Sequence, residues 1–216
     1  MRGSGGGSEL KDNSGKIILD LAGGTGSWSK PYLDAGYDVR LVTLPDNDVR
    51  TYVHPDNIYG VLAAPPCTEF SVLNCIAEAR KRNPKEGLIV VNACLKIIKS
   101  CQPVFYAIEN PVGFLKNYLG KPNFIFQPWE FGDAWTKRTA LWGRFNKPIK
   151  TYVNWDEVPK LDLYTRPGRG KTNFAYLHKS AIKDIPQLSD YEPKTDADFR
   201  AITPPGFAKV FFLANQ

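Results

Sequence analysis

The chain has 216 residues, of which 43% are hydrophobic and 23% charged, and this composition excludes disorder and collagen-like repeats and disfavours two full domains. Its 28 basic and 22 acidic residues leave a net charge of +6, which permits nucleic acid as a partner without requiring it. No apolar run reaches the roughly 18 residues of a membrane span, and the N-terminus lacks a signal-peptide core, so we expect a soluble, cytoplasmic protein without membrane partners.

Four segments of different composition follow one another along the chain. Residues 1–15 are rich in Gly and Ser and predict a flexible leader. Residues 16–145 alternate short apolar runs with helix-like segments, which is typical of an α/β fold with a mostly parallel sheet and helices on both faces. Residues 146–198 are poor in apolar side chains and predict a small irregular basic lobe. Residues 199–216 predict a closing helix, which begins at Pro205.

The element predictions within residues 16–145 rest on hydrophobic periodicity. Residues 86–99 place Leu88, Val91, Leu95 and Ile98 at helical spacing, so this segment is predicted to be a helix packed on the sheet. The predicted strands are Lys16–Leu21, Asp38–Leu44, Gly60–Ala64, Val104–Ile108 and Thr139–Trp142.

The first predicted strand runs into a glycine-rich loop, DLAGGTG over residues 20–26. Glycines allow positive φ and a close backbone approach to a ligand, and a short helix capped by Ser29 would add free N–H groups. Ser29 replaces the third glycine of the dinucleotide fingerprint. The spacing instead resembles the first motif of S-adenosylmethionine-dependent methyltransferases, which implies a Rossmann-like fold and that cofactor. The alternative interpretation is a plain strand-to-helix turn.

The second predicted strand lacks an acidic residue at its end, where folds of this kind often bind the ribose hydroxyls of a cofactor. The nearest acids are Asp46 and Asp48. Either could contact the cofactor, Asp48 from the adenine side, or serve only as a turn residue.

A Pro-Pro-Cys turn, AAPPCTEFS over residues 63–71, follows the third predicted strand. Two prolines stiffen this turn and would hold Cys67 at the carboxyl edge of the sheet, where open α/β folds bind ligands. A thiolate there is a candidate nucleophile, and we expect a helix starting near Ser71 to provide the electropositive setting that it needs. The alternative is a buried structural cysteine.

Two later segments bring further polar groups to the same edge. IENP places Glu109 after the fourth strand, and TKRTALWG leads the basic pair Lys137 and Arg138 into the fifth. The order of DLAGGTG, PPCTEFS, IENP and TKRTALWG resembles the DNA (cytosine-5) methyltransferases, closest to the compact phage and prophage types, over about residues 16–143.

This resemblance implies a covalent mechanism on a flipped-out cytosine. Cys67 would attack C6, Glu109 would bind the N3/N4 edge, and Arg138 would contact the exocyclic oxygen. Arg138 takes the second arginine of the family's Gln-x-Arg-x-Arg element, while Thr136 replaces the first. For a phage-like enzyme, protection from restriction is the expected purpose.

The resemblance also implies binding residues for the cofactor and for DNA. Ala22 stands where the family has Phe beside the adenine, and Trp28 could supply that aromatic face instead. Only about fifty residues are available for target recognition, so the lobe would be a reduced recognition region. The implied cofactor-binding residues are Asp20, Ala22, Gly24, Gly26, Trp28, Asp46, Asp48 and Pro65. The implied nucleic-acid-binding residues are Ser71, Lys137 and, in the basic loop, Arg166, Arg169 and Lys171, although that loop could also be a solvated charge run.

Other functions stay open on the sequence alone. Compact cytosine-5 enzymes also act on tRNA, so RNA is an alternative substrate. A catalytically silent nucleic-acid-binding relative is favoured by the missing acid and the short recognition region, and disfavoured by the intact Cys67, Glu109 and Arg138. An amino-group methyltransferase is disfavoured, because Val112 stands where an aromatic residue would follow Asn110-Pro111. The oligomeric state and the recognition sequence are not determined.

The cysteines and histidines give no metal-binding pattern. No CxxC spacing occurs, and His54 and His178 are isolated, so we expect no metal and reduced thiols. Three cysteines lie in apolar stretches and are predicted core residues: Cys75, Cys94 and Cys101.

Overall fold

Six strands form one mixed sheet in the order β2-β1-β3-β4-β6-β5. The computed structural model describes residues 12–71 and 83–216. Strands β1 to β4 are parallel, and β6 lies antiparallel between β4 and β5. The strands are β1 (Ile17–Leu21), β2 (Asp38–Val42), β3 (Ile58–Ala63), β4 (Phe105–Pro111), β5 (Phe124–Phe126) and β6 (Thr139–Arg144).

Helices flank the sheet, and short 3₁₀ turns dominate the later part of the chain. The α-helices are α1 (Lys30–Asp34), α2 (Pro84–Cys101), α3 (Lys116–Leu119), α4 (Asp196–Ala201) and α5 (Pro205–Ala214). The 3₁₀ turns are Pro128–Phe131, Trp155–Glu157, Phe174–Tyr176, Lys179–Asp184 and Pro186–Leu188. No helix in the described part of the chain has the length and apolar character needed to traverse a bilayer.

The two faces of the sheet bury different helices, as the alternation of side chains along a strand requires. On β1, Leu19 and Leu21 belong to the cluster that includes α2, whereas Ile18 belongs to the cluster with α1 and α5. Helices therefore cover both faces, as the sequence predicts. A third buried cluster lies in the later part of the chain and comprises Trp135, Leu163, Phe174, Leu177, Ile185, Leu188, Phe199 and Ile202.

The chain changes direction across the sheet at β1, and this creates a crevice. From β1 it passes to β2 on one side and then crosses to β3 on the other side. Ligands in open α/β sheets bind outside the carboxyl ends of the strands at such a switch point. The glycine loop follows β1, and the Pro-Pro-Cys turn follows β3, so both predicted motifs lie at this crevice.

The predicted strands and the helix over residues 86–99 are present, with shifted ends. Strand β4 continues to Pro111, because it pairs with β6 as far as the Pro111–Thr139 pair. The three-residue β5 and helix α4 were not predicted. The expected leader falls largely outside the described residues, as do Cys75 and the helix expected to start near Ser71. Cys94 is buried against the sheet, and Cys101 is half-buried.

Candidate active site

The glycine loop takes a tight, ligand-compatible conformation. Ala22, Gly24 and Gly26 have φ angles of 55°, 57° and 69°, the left-handed region that favours glycine. The backbone N–H groups of Gly24 and Thr25 donate no hydrogen bond within residues 12–71 and 83–216. Successive free N–H groups in such a turn form a concavity suited to an anionic group.

Asp20 lies beneath this loop as a fully buried carboxylate. Its Oδ2 accepts a 2.6 Å hydrogen bond from the Ser29 hydroxyl, so Ser29 supports the loop rather than capping α1 with its side chain. Its Oδ1 has no partner among the described residues. Burial raises the pKa of Asp20 to about 6. A Cβ at Gly23 would lie 1.9 Å from Oδ1, so only glycine fits there.

These features fit the methionine part of S-adenosylmethionine. Its carboxylate would match the free N–H groups of Gly24 and Thr25, and its ammonium group would match the unpartnered oxygen of Asp20. The residues after β2 fit the ribose and adenine of the cofactor less well. Asp46 is exposed, and Asp48 accepts hydrogen bonds of 2.8 and 2.9 Å from the Arg50 Nε, which lower its pKa.

The predicted role of Trp28 as an aromatic face for the cofactor is wrong. Its side chain is 1% exposed, and its ring packs edge-on against Phe211 at 5.3 Å and near Phe207 at 6.0 Å. The indole therefore belongs to the core beneath α5. An aromatic residue after a glycine loop can face inward or outward, and the sequence does not distinguish the two.

The turn that carries Cys67 is held by backbone and side-chain hydrogen bonds. The Cys67 carbonyl accepts from the N–H groups of Phe70 at 2.9 Å and Ser71 at 2.8 Å. Ser71 is buried and forms an isolated bridge with Gly113, so the described backbone holds it inside the protein rather than on a DNA-facing surface. The buried carbonyl of Pro65 accepts a 2.9 Å bond from the Asn110 side chain.

The charges of Glu109 and Lys137 act on the Cys67 thiol, and the charge of Lys137 also acts on Glu109. Burial raises the pKa of the Cys67 thiol, the Glu109 charge raises it further, and Lys137 and Arg200 lower it. Burial also raises the pKa of Glu109, against the Lys137 charge. Among the described residues, burial and the neighbouring carboxylate therefore oppose formation of the thiolate, while the helix expected to favour it lies outside them.

Lys137, rather than Arg138, is the cation within range of this pair. Thr139 pairs with Pro111 at the start of β6, and alternation puts Lys137 on the face of Glu109 and Arg138 on the other. The Lys137 ammonium donates to the carbonyl of Arg200 at 2.8 Å. Arg138 is exposed, and its guanidinium forms no hydrogen bond or ion pair with the described residues. The contact of Arg138 with the exocyclic oxygen of the cytosine, which the resemblance implies, stays a prediction, and the exposed side chain lies on the face opposite Glu109.

The segment joining α4 to α5 closes over the glycine loop. The Thr203 N–H donates to the Ser27 hydroxyl at 2.8 Å, and the Ala201 Cβ lies 3.8 Å from a Cβ built on Gly24. Arg200 also acts on the Cys67 pKa. Arg200 was missed as a site residue. The motif RAITPP, which begins at Arg200, was the only sequence signal for it.

The predicted DNA-contacting residues of the basic loop line a cleft of the lobe whose lining does not include Cys67. This cleft has a volume of about 710 Å³ and is lined by Arg166, Arg169 and Lys171 together with aromatic side chains. Thr136 belongs to the same wall, one residue before Lys137. Within the described ranges, no cluster of three or more potential metal ligands is present.

Comparison with known proteins gives little further guidance. No protein-family description matches the chain, and no curated protein matches it. Among solved structures it is similar to a protein assigned as a DNA modification methyltransferase encoded within a prophage of E. coli, at 15% identity and a TM-score of 0.42. The match covers 60% of this chain, which spans only 46% of that protein. A likeness at this level establishes neither the family nor the activity of this chain.

Proposed function

We propose that this chain is an S-adenosylmethionine-dependent DNA (cytosine-5) methyltransferase. The observation that carries the proposal is the 2.9 Å hydrogen bond from Asn110 to the Pro65 carbonyl, which joins the strand of Glu109 to the turn of Cys67, with the Lys137 charge acting on both groups. A nucleophile, a proton donor and a cation are the groups that activation of C5 of cytosine needs.

Bound S-adenosylmethionine would supply an electrophilic methyl group, held by the loop residues Gly24 and Thr25 and by Asp20. Pro65, whose carbonyl is tied to Asn110, would line the same crevice.

Cys67 would act as the nucleophile on a cytosine taken out of the base stack. Its sulfur forms a bond to C6, which moves electron density to C5 and makes that carbon nucleophilic. C5 would then take the methyl group, and the former methyl carrier would leave as a neutral thioether. Loss of the C5 proton to water and return of the N3 proton to Glu109 would break the S–C6 bond and release the Cys67 thiolate. Extruding the base from a duplex costs a few kcal/mol, a cost absent for an unpaired base.

Glu109 would donate a proton to N3 of the ring as the sulfur adds. A carboxylic acid can do this near neutral pH when burial raises its pKa, as burial does here. A protonated Glu109 also removes the negative charge that opposes formation of the Cys67 thiolate. The protonated form of Glu109 therefore favours the thiolate form of Cys67.

Lys137 and Arg138 would have separate tasks. Lys137 lowers the pKa of Cys67 and is oriented by the Arg200 carbonyl, so we assign it to stabilising negative charge on the thiolate and on the substrate oxygen. Arg138 is exposed at the same edge, and we assign it to the backbone phosphates of a bound strand.

Transfer of a tritiated methyl group from S-adenosylmethionine to DNA and to RNA tests the activity and the substrate together. We expect label in DNA, bisulfite-resistant cytosines in that DNA, and no transfer by Cys67→Ala. Full turnover by Cys67→Ala would refute the proposed mechanism.

A catalytically silent nucleic-acid binder is the second candidate function. The hydrogen bond of Asp48 with Arg50 favours this candidate, because it occupies a carboxylate that could otherwise bind the cofactor ribose. The other nearby acid, Asp46, is exposed. Calorimetry with S-adenosylmethionine separates the two, since the enzyme requires measurable binding.

A further inference from the structure

The cleft in the basic lobe combines exposed aromatic rings with cations. It is lined by three cationic and three aromatic side chains among its residues, with Asp156 as the single acid. Its volume of about 710 Å³ is within the range of pockets that hold small organic ligands. The six side chains are Trp155, Tyr164, Arg166, Arg169, Lys171 and Tyr176.

Two cations of the cleft lie over aromatic rings. The Arg166 guanidinium carbon lies 4.6 Å from the centroid of Tyr176, and the Lys171 ammonium lies 5.3 Å from that of Trp155. Tyr164 and Tyr176 remain 59% and 45% exposed. The exposed part of each tyrosine ring offers a surface on which a nucleobase can stack.

Residues 146–194 lack the elements that read duplex DNA, and the helix α4 that follows has 6 residues and packs Phe199 into the third buried cluster. Major-groove recognition uses an α-helix or a two-stranded ribbon. Residues 146–194, all described, contain only 3₁₀ turns besides irregular chain. Cations interleaved with aromatic rings are instead the features that bind a single strand, because every base has a face to stack and every nucleotide a phosphate.

Backbone hydrogen bonds connect this cleft to the Cys67 site. The Thr136 N–H donates to the Thr172 carbonyl at 2.8 Å, and the Phe174 N–H donates to the Thr136 carbonyl at 3.0 Å. Thr136 precedes Lys137, and adjacent Cα atoms are about 3.8 Å apart. A strand bound in the cleft would therefore lead to the edge that carries Lys137 and Cys67.

We propose that the lobe cleft binds unpaired nucleotides flanking the target, and that the protein prefers single-stranded over duplex DNA. Tyr164 and Tyr176 stack on bases, while Arg169 and Lys171 contact phosphates. This inference rests on the proposed function, since it takes the ligand of the cleft to be the nucleic-acid substrate of the Cys67 site.

Fluorescence anisotropy with a labelled single-stranded oligodeoxynucleotide and its matching duplex tests the inference. We expect the single strand to bind at least tenfold more tightly at the same salt concentration. Tyr164→Ala and Tyr176→Ala should each weaken single-strand binding by roughly fivefold or more, the effect typical of one lost base stack. The matched control is Tyr118→Ala, because Tyr118 is also exposed, at 48%, but lies on α3 outside the cleft.

The salt dependence separates stacking from charge. Lys171→Ala should reduce the slope of log K against log salt by about 0.7, the value for one phosphate contact on a single strand. The tyrosine variants should leave that slope unchanged while lowering the affinity.

Two results would overturn the inference: duplex binding as tight as single-strand binding, or tyrosine variants no weaker than Tyr118→Ala. Methyl transfer is scored separately on both DNA forms. Single-strand binding as expected with no methyl transfer by the unaltered protein would refute the proposed function alone. Methyl transfer to a tightly bound duplex would refute this inference alone.

Discussion

The side-chain amide of Asn110 donates a 2.9 Å hydrogen bond to the buried carbonyl of Pro65. Because Asn110 follows Glu109 on β4 and Pro65 begins the turn that carries Cys67, this bond fixes the spacing between the two candidate catalytic groups. Both partners are buried, so water cannot replace the bond at low cost.

Asn110→Ala should separate the Cys67 turn from the end of β4. The unpaired Pro65 carbonyl should cost about 1–3 kcal/mol of unfolding free energy, measured by urea denaturation. Methyl transfer should fall at least tenfold in kcat while S-adenosylmethionine affinity is retained. Asn47→Ala is the control, because Asn47 is exposed and forms no described side-chain hydrogen bond. Equal behaviour of the two variants would contradict the positioning role.

Glu109→Gln should make the Cys67 thiol more reactive towards alkylation but lower the rate of methyl transfer. Loss of the carboxylate charge lowers the pKa of Cys67, so the thiol should react with iodoacetamide at lower pH, followed by mass spectrometry of the Cys67 peptide. Methyl transfer should nevertheless fall by about 10²-fold or more, because glutamine cannot donate the proton to N3. A variant that reacts and methylates like the unaltered protein would remove Glu109 from the mechanism.

Lys137→Met and Arg138→Met form a matched pair that tests which cation serves Cys67. Lys137 lowers the Cys67 pKa, so its replacement should shift thiol alkylation to higher pH. Arg138 points to solvent on the other face of the sheet, so its replacement should leave the alkylation profile unchanged and weaken DNA binding. The reverse pattern would restore the arginine contact that the sequence resemblance implies.

Asp133 should make the protein less stable as the pH rises from about 4 to 7. This buried carboxylate accepts from the Gly206 N–H at 3.2 Å at the start of α5, and burial raises its pKa to about 7. The folded state therefore holds the proton more tightly than the unfolded chain, whose pKa is near 3.9. Stability is greatest below pH 4 and is lost as the pH passes through 7, by at most about 1.4 kcal/mol per pH unit.

Asp133→Asn should remove that dependence. The free energy of unfolding in urea should be measured for both proteins. The excess of the unaltered protein over the variant should shrink between pH 4 and 7 and then stay constant. Asp184→Asn, at an exposed site, is the control. A constant difference across this range would show that Asp133 does not bind a proton as the structure indicates.

The sequence predicted the elements whose patterns are local. Apolar runs located the strands from β1 to β4 and also β6, and helical spacing from Leu88 to Ile98 located α2. Strand β5 has only three residues, too few for an alternating pattern, and it exists because β6 pairs with it. Helix α4 begins at a Thr195 capping box and packs Phe199 into the lobe cluster, a context set by tertiary contacts.

The motifs predicted which residues lie near the site, but they did not predict the direction in which each side chain points. Cys67 and Glu109 lie at one sheet edge because parallel strands present their carboxyl ends together. Lys137 and Arg138 differ by one residue, so their faces depend on the register of β6 with β4, which only the folded sheet defines. The same ambiguity explains Trp28, which the packing of α5 turns inward.

Trapping of the covalent intermediate tests the central claim most directly. Release of the sulfur requires loss of the C5 proton, and a fluorine at C5 cannot be removed in its place. DNA containing 5-fluorocytosine should therefore stay bonded to the sulfur after reaction with S-adenosylmethionine. We expect a denaturation-resistant protein–DNA adduct that maps to Cys67 and is absent in Cys67→Ala. Methyl transfer to ordinary DNA without any adduct at Cys67 would contradict the account.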